Sequence, residues 1–390
     1  MPTEDTRGPH AQFIVKDPYP EWAEARRDDP VAETEAFGRK SFQLSRFEHV
    51  EAALRDSETF SSTINQETMG PYMGQVILAK GGDEHTRYRN LVSTAFRASR
   101  LEHWRTELIE PTIHRLLDGI AAKGRGDLVL DVTRQYPVQI IAGIIGVPLE
   151  DHEQFHAWAE AINVGPLEPE KGMAASRAMR EYLTPIVEDR RANPRADVIS
   201  DIIHAEIDGE KLDDDHVYGF LRLLMPAGAE TTFRVMGNCL HALLSQPDVL
   251  ERVRSDRSLV SEAIEETLRF ETSVTIVSRV AAKDASIGGV DVPKGASMML
   301  LTGSANRDEA RYDRPDTWDI DRKDKNHLAF GWGRHLCLGM HLARLELASG
   351  IDAILDRLPD LRFDPESPVP EIVGFAFRGP ESLPVVFRPS

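Results

Sequence analysis

One of only two cysteines in the chain, Cys337, stands in the stretch FGWGRHLCLG (330–339), among Gly331, Gly333 and Gly339 and beside Arg334 and His335. A thiolate is a metal ligand and a nucleophile, but the thiol must first lose its proton, which nearby positive potential favours. Residues 338–355, LGMHLARLELASGIDAIL, carry the apolar spacing of a helix. Cys337 is therefore expected at a helix N-terminus, where free backbone N–H groups and the helix dipole favour negative sulfur. The glycines permit unusual backbone angles and the close approach of a flat ligand. Taken alone, a lone cysteine is more often a small buried apolar side chain, and Cys239 keeps that reading.

A second group with chemical potential is AGAETT (227–232), inside an apolar helical stretch. Ala227 and Gly228 are small and are expected to leave room beside the helix. The Thr231 hydroxyl can bond back to the carbonyl of residue 227 and open a local bulge for water. Glu230 supplies a carboxylate able to relay protons. Pro226 removes one helical hydrogen bond and is expected to favour a kink.

The pattern F-G-x-G-x-H-x-C-x-G followed by LAR resembles the haem-binding loop of the cytochrome P-450 family, and AGAETT resembles that family's oxygen-activation signature. The resemblance implies haem b with Cys337 as the iron ligand and with Ala227, Gly228, Phe330, Gly331, His335 and Gly339 around it. It assigns proton delivery to Glu230 and Thr231. The family's E-x-x-R pair is matched by Glu266 and Arg269, 71 residues before Cys337. Glu24/Arg27, Glu102/Arg105, Glu188/Arg191 and Glu251/Arg254 fit the same spacing, so order alone selects Glu266/Arg269. Thr317 stands where many relatives carry the third partner of the pair, and Arg322 is a substitute.

EHTRYR resembles the family's propionate clamp, giving His85 and Arg89, with Arg279 and His335 at two further matching positions. By the same resemblance, a substrate pocket draws on Met73, Val76, the Ile162 to Leu167 region, Leu224, Val274, Ile276 and Phe375. Residues 68–79 carry no charge, which favours a largely apolar substrate. The expected reaction inserts one oxygen atom of O2 into that substrate; a peroxide-driven hydroxylase and a non-catalytic haem sensor are the alternatives. No flavin or nicotinamide fingerprint is visible. Electrons from NAD(P)H are thus expected through a separate ferredoxin or flavodoxin with its reductase. Five arginines fall between Arg87 and Arg105 against one acid, Glu102. Docking of that partner is expected near Arg97, Arg100 and Arg334, with Arg344 close by. Trp332 is left with two roles, packing on the cofactor edge or meeting the partner.

The elements that must position these groups are mostly helical. Helical periodicity runs from Leu101 to Asp256 and from Ser258 to Phe270. LDDDHVYGFLRLLMPAGAETTFRVMGNCLHALLSQP predicts one long helix, capped near Asp213 and stopped before Pro247, about 50 Å long. Short strands are expected at RKSFQLS, TIVSRVA, ASIGGVDVPKGASMML with a Gly-Gly turn, and SLPVVF. The fold class is mainly α: one large helical domain over 1–390, with strands in roughly 36–80, a helical core in roughly 81–270 and the thiol loop at 330–339. The 390 residues carry a net charge of −18, which argues against nucleic-acid partners. No run approaches the length of a membrane span and no signal peptide opens the chain, so a cytoplasmic location is expected.

Overall fold

Asp213 begins the element on which the molecule is built. Its side chain accepts a hydrogen bond from the His216 amide at 2.9 Å and caps a helix of 32 residues, Asp214–Ser245. Asp214 and Asp215 add negative charge to the first turn, where the dipole favours it. The computed structural model describes residues 15–36, 39–166 and 168–389. The helices used below are α1 (Gly82–Ser93), α2 (Gln135–Ile145), α3 (His152–Asn163), α4 (Pro169–Ala192), α5 (Asp214–Ser245), α6 (Leu259–Phe270) and α7 (Met340–Arg357). At 1.5 Å per residue, α5 is about 48 Å long. Pro226 neither ends nor interrupts it, and the helix continues unbroken through Thr231.

The main core forms where α2, α5, α6 and α7 meet, around Ile140, Ile141, Met225, Met236, Ile264 and Ile351. Gly228 explains how closely α5 lies on α2. A Cβ at that position would fall 2.4 Å from Ile141 Cδ1, so glycine is required for the packing. This corrects the expectation that Gly228 leaves free space beside the helix: that side is filled by Ile141, and the space adjoins Ala227, which is exposed.

A five-stranded mixed sheet flanks the helices. Its strands are β1 (Val31–Ala36), β2 (Arg39–Leu44), β3 (Phe60–Ser61), β4 (Val277–Ala281) and β5 (Ser297–Leu300), in the order β1-β2-β5-β4-β3. Only β2 and β5 run parallel, with Ser41 opposite Ser297. Arg279 on β4 faces Met298 on β5 and is fixed there by the ladder. The Gly-Gly turn closes the separate hairpin Ala285–Ile287/Val290–Val292, with Gly288 and Gly289 at φ +57° and +80°. Among the described residues, no helix is long and apolar enough to cross a membrane.

Glu266 and Arg269 on α6 are wholly buried and paired at 2.7 and 2.9 Å. Arg269 also donates to the carbonyls of Asn306, Pro315 and Thr317. Arg322 Nε meets Glu266 Oε1 at 3.1 Å, and the Asp319 amide donates to the same oxygen at 3.0 Å. One carboxylate thereby ties α6 to the irregular segment that leads into the thiol loop, with Arg322 as the third partner. The Glu102–Arg105 pair, by contrast, lies largely in solvent. Removing one partner of a buried pair strands the other charge, which costs about 3–5 kcal/mol. Glu266→Gln should lower stability by that amount in denaturant unfolding, whereas Glu102→Gln should leave the unfolding midpoint unchanged.

Candidate functional site

The thiol loop is held open by its own backbone. The Cys337 amide donates to the Phe330 carbonyl at 2.9 Å and the Gly331 amide to Leu328 at 2.9 Å. Gly333, at φ +69°, lies where a Cβ would come within 2.9 Å of the Leu54 carbonyl, so the loop is pressed onto the neighbouring helix Phe47–Arg55. Gly339 is the opposite case. It caps α7, and a Cβ there would meet no atom within 4 Å. Cys337 is exposed as a residue, although the protein crowds its thiol.

Burial pushes the Cys337 thiol up, although the Gly339 amide, Arg89 and Arg344 act in the opposite direction. The expected helix-terminus stabilisation of sulfur is therefore present but outweighed. Loss of the proton requires a stronger positive partner than the protein offers, such as a metal ion, which deprotonates a coordinating thiol. Cys239 is completely buried, and burial pushes its thiol up to about 12, as suits an inert core cysteine.

Beside the thiol lies a group of basic side chains from three parts of the chain. His85 and Arg89 come from α1, Arg279 from β4 and His335 from the thiol loop. The rings of His85 and His335 are 4.3 Å apart, and Ser62 Oγ lies 3.0 Å from His335 Nε2. Ser62 had no signal in the sequence. Burial, together with Arg89 and Arg334, pushes His85 down to about 4. His335 is pushed down to about 3 by burial and by His85, Arg279, Arg89 and Arg334. Arg279 is 3% exposed, and burial alone pushes it down to about 10. His85 Nδ1 and Arg279 Nε are buried without a hydrogen-bond partner. Among the described residues, neither Arg89 nor Arg279 has a carboxylate within ion-pair distance.

On α5, the Thr231 hydroxyl donates to the Ala227 carbonyl at 2.8 Å, the expected back-bond, although no bulge accompanies it. Glu230 pairs with Arg234 one turn on, at 2.6 Å, and lies within electrostatic range of His156 on α3. The expected pocket residues divide into three groups. Met73 and Val76 are buried in the main core and present little surface to any cavity. Leu224 is 9% exposed on α5. Val274 pairs with Phe377, while Ile276 and Phe375 pack against Tyr19, Trp22 and Leu301. Leu167 lies outside the described residues.

The arginine-rich stretch is less free than its composition implies. Arg87 pairs with Glu210, Arg100 with Asp201 at 2.7 Å, and Arg105 with Glu102 and Glu110. Arg344 is clamped by Glu265, whose carboxyl reaches about 2: burial raises it, but Arg344 and His327 more than offset that. Arg334 donates to the Gly82 carbonyl and Thr86. Arg97 is exposed. Trp332 is 38% exposed with the Arg55 guanidinium 5.2 Å from its ring, so its indole faces the outer surface.

The family model described as "Cytochrome P450" matches residues 24–376. Cytochrome P450 107B1 of Saccharopolyspora erythraea is 34% identical over 92% of each chain. The structure of CYP109Q5 from Chondromyces apiculatus has a TM-score of 0.88 and 32% identity, with 96% of each chain covered. CYP109E1 from Bacillus megaterium, solved in complex with testosterone, gives 0.86 and 28%, over 95% of this chain and 99% of that one. The fold and the matched family thus define a haem-iron oxidoreductase. The chain belongs to the cytochrome P-450 family, and its enzyme class is monooxygenase.

The residues present fit the haem this family uses. The fit rests on the exposed Cys337, the open space at Gly339 and the unpaired donors of His85 and Arg279, which suit the two carboxylate tails of the cofactor. Arg279, held down to about 10, costs the cofactor-free fold on the order of 3 kcal/mol. Arg279→Met should therefore raise the unfolding midpoint of the cofactor-free protein, yet weaken retention of haem in a transfer assay. Loss in both measurements would make Arg279 a purely structural residue.

Proposed function

We propose that this chain is a cytoplasmic enzyme that inserts one atom of O2 into a C–H bond or alkene of a largely apolar small molecule, the other atom leaving as water. Its cofactor is haem b, held through Cys337, with His85, Arg89, Arg279 and His335 at the propionates. Electrons arrive singly from NAD(P)H through a ferredoxin or flavodoxin. The observation that carries this reading is the exposed Cys337 beside four basic groups, His85 and Arg279 buried, of which the two arginines have no carboxylate within ion-pair distance among the described residues. When bound, the haem supplies oxygen activation, which thiolate ligation favours.

The protein's part is positioning and proton supply. Ala227, exposed on α5, leaves space where a larger side chain would stand. Thr231 donates to the Ala227 carbonyl, so its hydroxyl oxygen is left to accept a hydrogen bond from a water molecule. Glu230 is anchored by Arg234 and backed by His156 and Glu160, a row of titratable groups leading from α5 to α3. An apolar substrate agrees with the uncharged stretch 68–79 and with the testosterone complex of the Bacillus megaterium relative. Partner docking falls to Arg97 and Arg334, because Arg100 is committed to Asp201.

Thr231→Ala should keep electron consumption while product formed per electron pair falls by up to roughly 10²-fold, the missing oxygen appearing as hydrogen peroxide. Unchanged coupling would remove Thr231 from proton delivery. Efficient turnover with hydrogen peroxide but none with redox proteins would replace the O2-dependent reading by a peroxide-driven one.

A further inference from the structure

Two neighbouring acids on α6 reach towards the thiol loop in different directions. Glu266 meets the segment before the loop through Arg322 and the Asp319 amide. Glu265, turned about 100° from it around the helix, makes a separate set of contacts. Its two carboxylate oxygens receive the Arg344 fork, Nε at 2.6 Å and Nη2 at 2.8 Å, a bidentate pair of fixed planar geometry. Arg344 stands on α7, just after the loop.

His327 stands just before the loop. Its side chain is buried, and its Nε2 lies 3.3 Å from Glu265 Oε2, without the alignment of a full hydrogen bond. The Ala329 amide donates to His327 Nδ1 at 3.2 Å, which assigns the ring proton to Nε2, on the side of the carboxylate. One carboxylate thus meets a side chain from each end of the loop.

Both of those side chains end on the same aromatic ring. The Arg344 guanidinium lies 4.6 Å from the centre of the Phe330 ring, and the centre of the His327 ring lies 5.8 Å from it. A guanidinium over a ring face is attracted to it. Phe330 is in turn the residue whose carbonyl accepts the Cys337 amide at 2.9 Å. The contacts therefore run unbroken from Glu265, through Arg344 and His327, to Phe330, and by one backbone hydrogen bond to Cys337. Arg344 also acts electrostatically on the sulfur, in favour of the thiolate.

We infer that Glu265 is a positioning residue for the sulfur ligand: through Arg344 and His327 it fixes Phe330, and so keeps Cys337 where a bound iron can retain it. This rests on Cys337 as the iron ligand, and adds a side chain outside the loop that preserves the bond. When the sulfur leaves the iron it takes up one proton from solvent, and no electron moves.

The test follows the reduced carbon monoxide complex of the haem-loaded full chain in mild denaturant. It reads the rate at which the long-wavelength Soret band gives way to a shorter-wavelength one, beside the helical circular-dichroism signal. Glu265→Gln, similar in size but uncharged, should convert roughly tenfold faster than wild type while the helical signal is unchanged. Arg344→Lys, which keeps the charge but loses the fork, should fall between the two. Glu262→Gln, which releases Lys325 from the same helix, should convert at the wild-type rate. A wild-type rate in Glu265→Gln overturns the inference, as does a faster rate that Glu262→Gln matches or that appears only as the helices are lost. If Glu265→Gln does not load haem, Arg344→Lys decides by the same criteria. A wild-type protein without the long-wavelength band contradicts the ligand assignment itself, so the two failures are distinct.

Discussion

Two arginines and two histidines converge beside Cys337, and among the described residues neither arginine has a carboxylate within ion-pair distance. Because burial is unfavourable to their charged forms, both histidines are held neutral at pH 7 and Arg279 is strained electrostatically. The fold therefore keeps a site whose charges are incomplete, one that a metal bearing carboxylate tails would satisfy at both ends. Gly339, where a Cβ would meet no atom within 4 Å, leaves room beside the same loop.

A site that costs stability needs a rigid frame, and α5 with α6 and α7 provides it. Gly228 brings α5 onto Ile141, and Glu266 binds Arg269, Arg322 and the Asp319 amide, so the segment before the thiol loop cannot drift from α6. Buried ion pairs of this kind do not add much stability relative to apolar packing. Their effect is positional: the loop that presents Cys337 begins from a fixed point.

Much of this was legible in the sequence, and the rest was not for identifiable reasons. The long helix was legible because Asp213, the apolar period and Pro247 are local signals, and it runs Asp214–Ser245 as expected. Glu266 was distinguishable from four equivalent pairs only by its order before the thiol loop. Three points went differently. Gly228 serves helix packing, because a glycine's neighbour is set by tertiary contact with Ile141. The local excess of arginine between Arg87 and Arg105 is partly neutralised, because the acids that meet Arg87 and Arg100, Glu210 and Asp201, lie a hundred residues or more away. The thiol is pushed up rather than down, because burial outweighs the helix terminus.

The account stands on Cys337 as the iron ligand, and the spectrum of the reduced carbon monoxide complex reads that bond directly. Wild type should show the long-wavelength Soret band of thiolate ligation, and Cys337→His, still loaded with haem, should show the shorter-wavelength band of imidazole ligation. A wild-type protein without the thiolate band, or a Cys337→His protein that keeps it, would contradict the account.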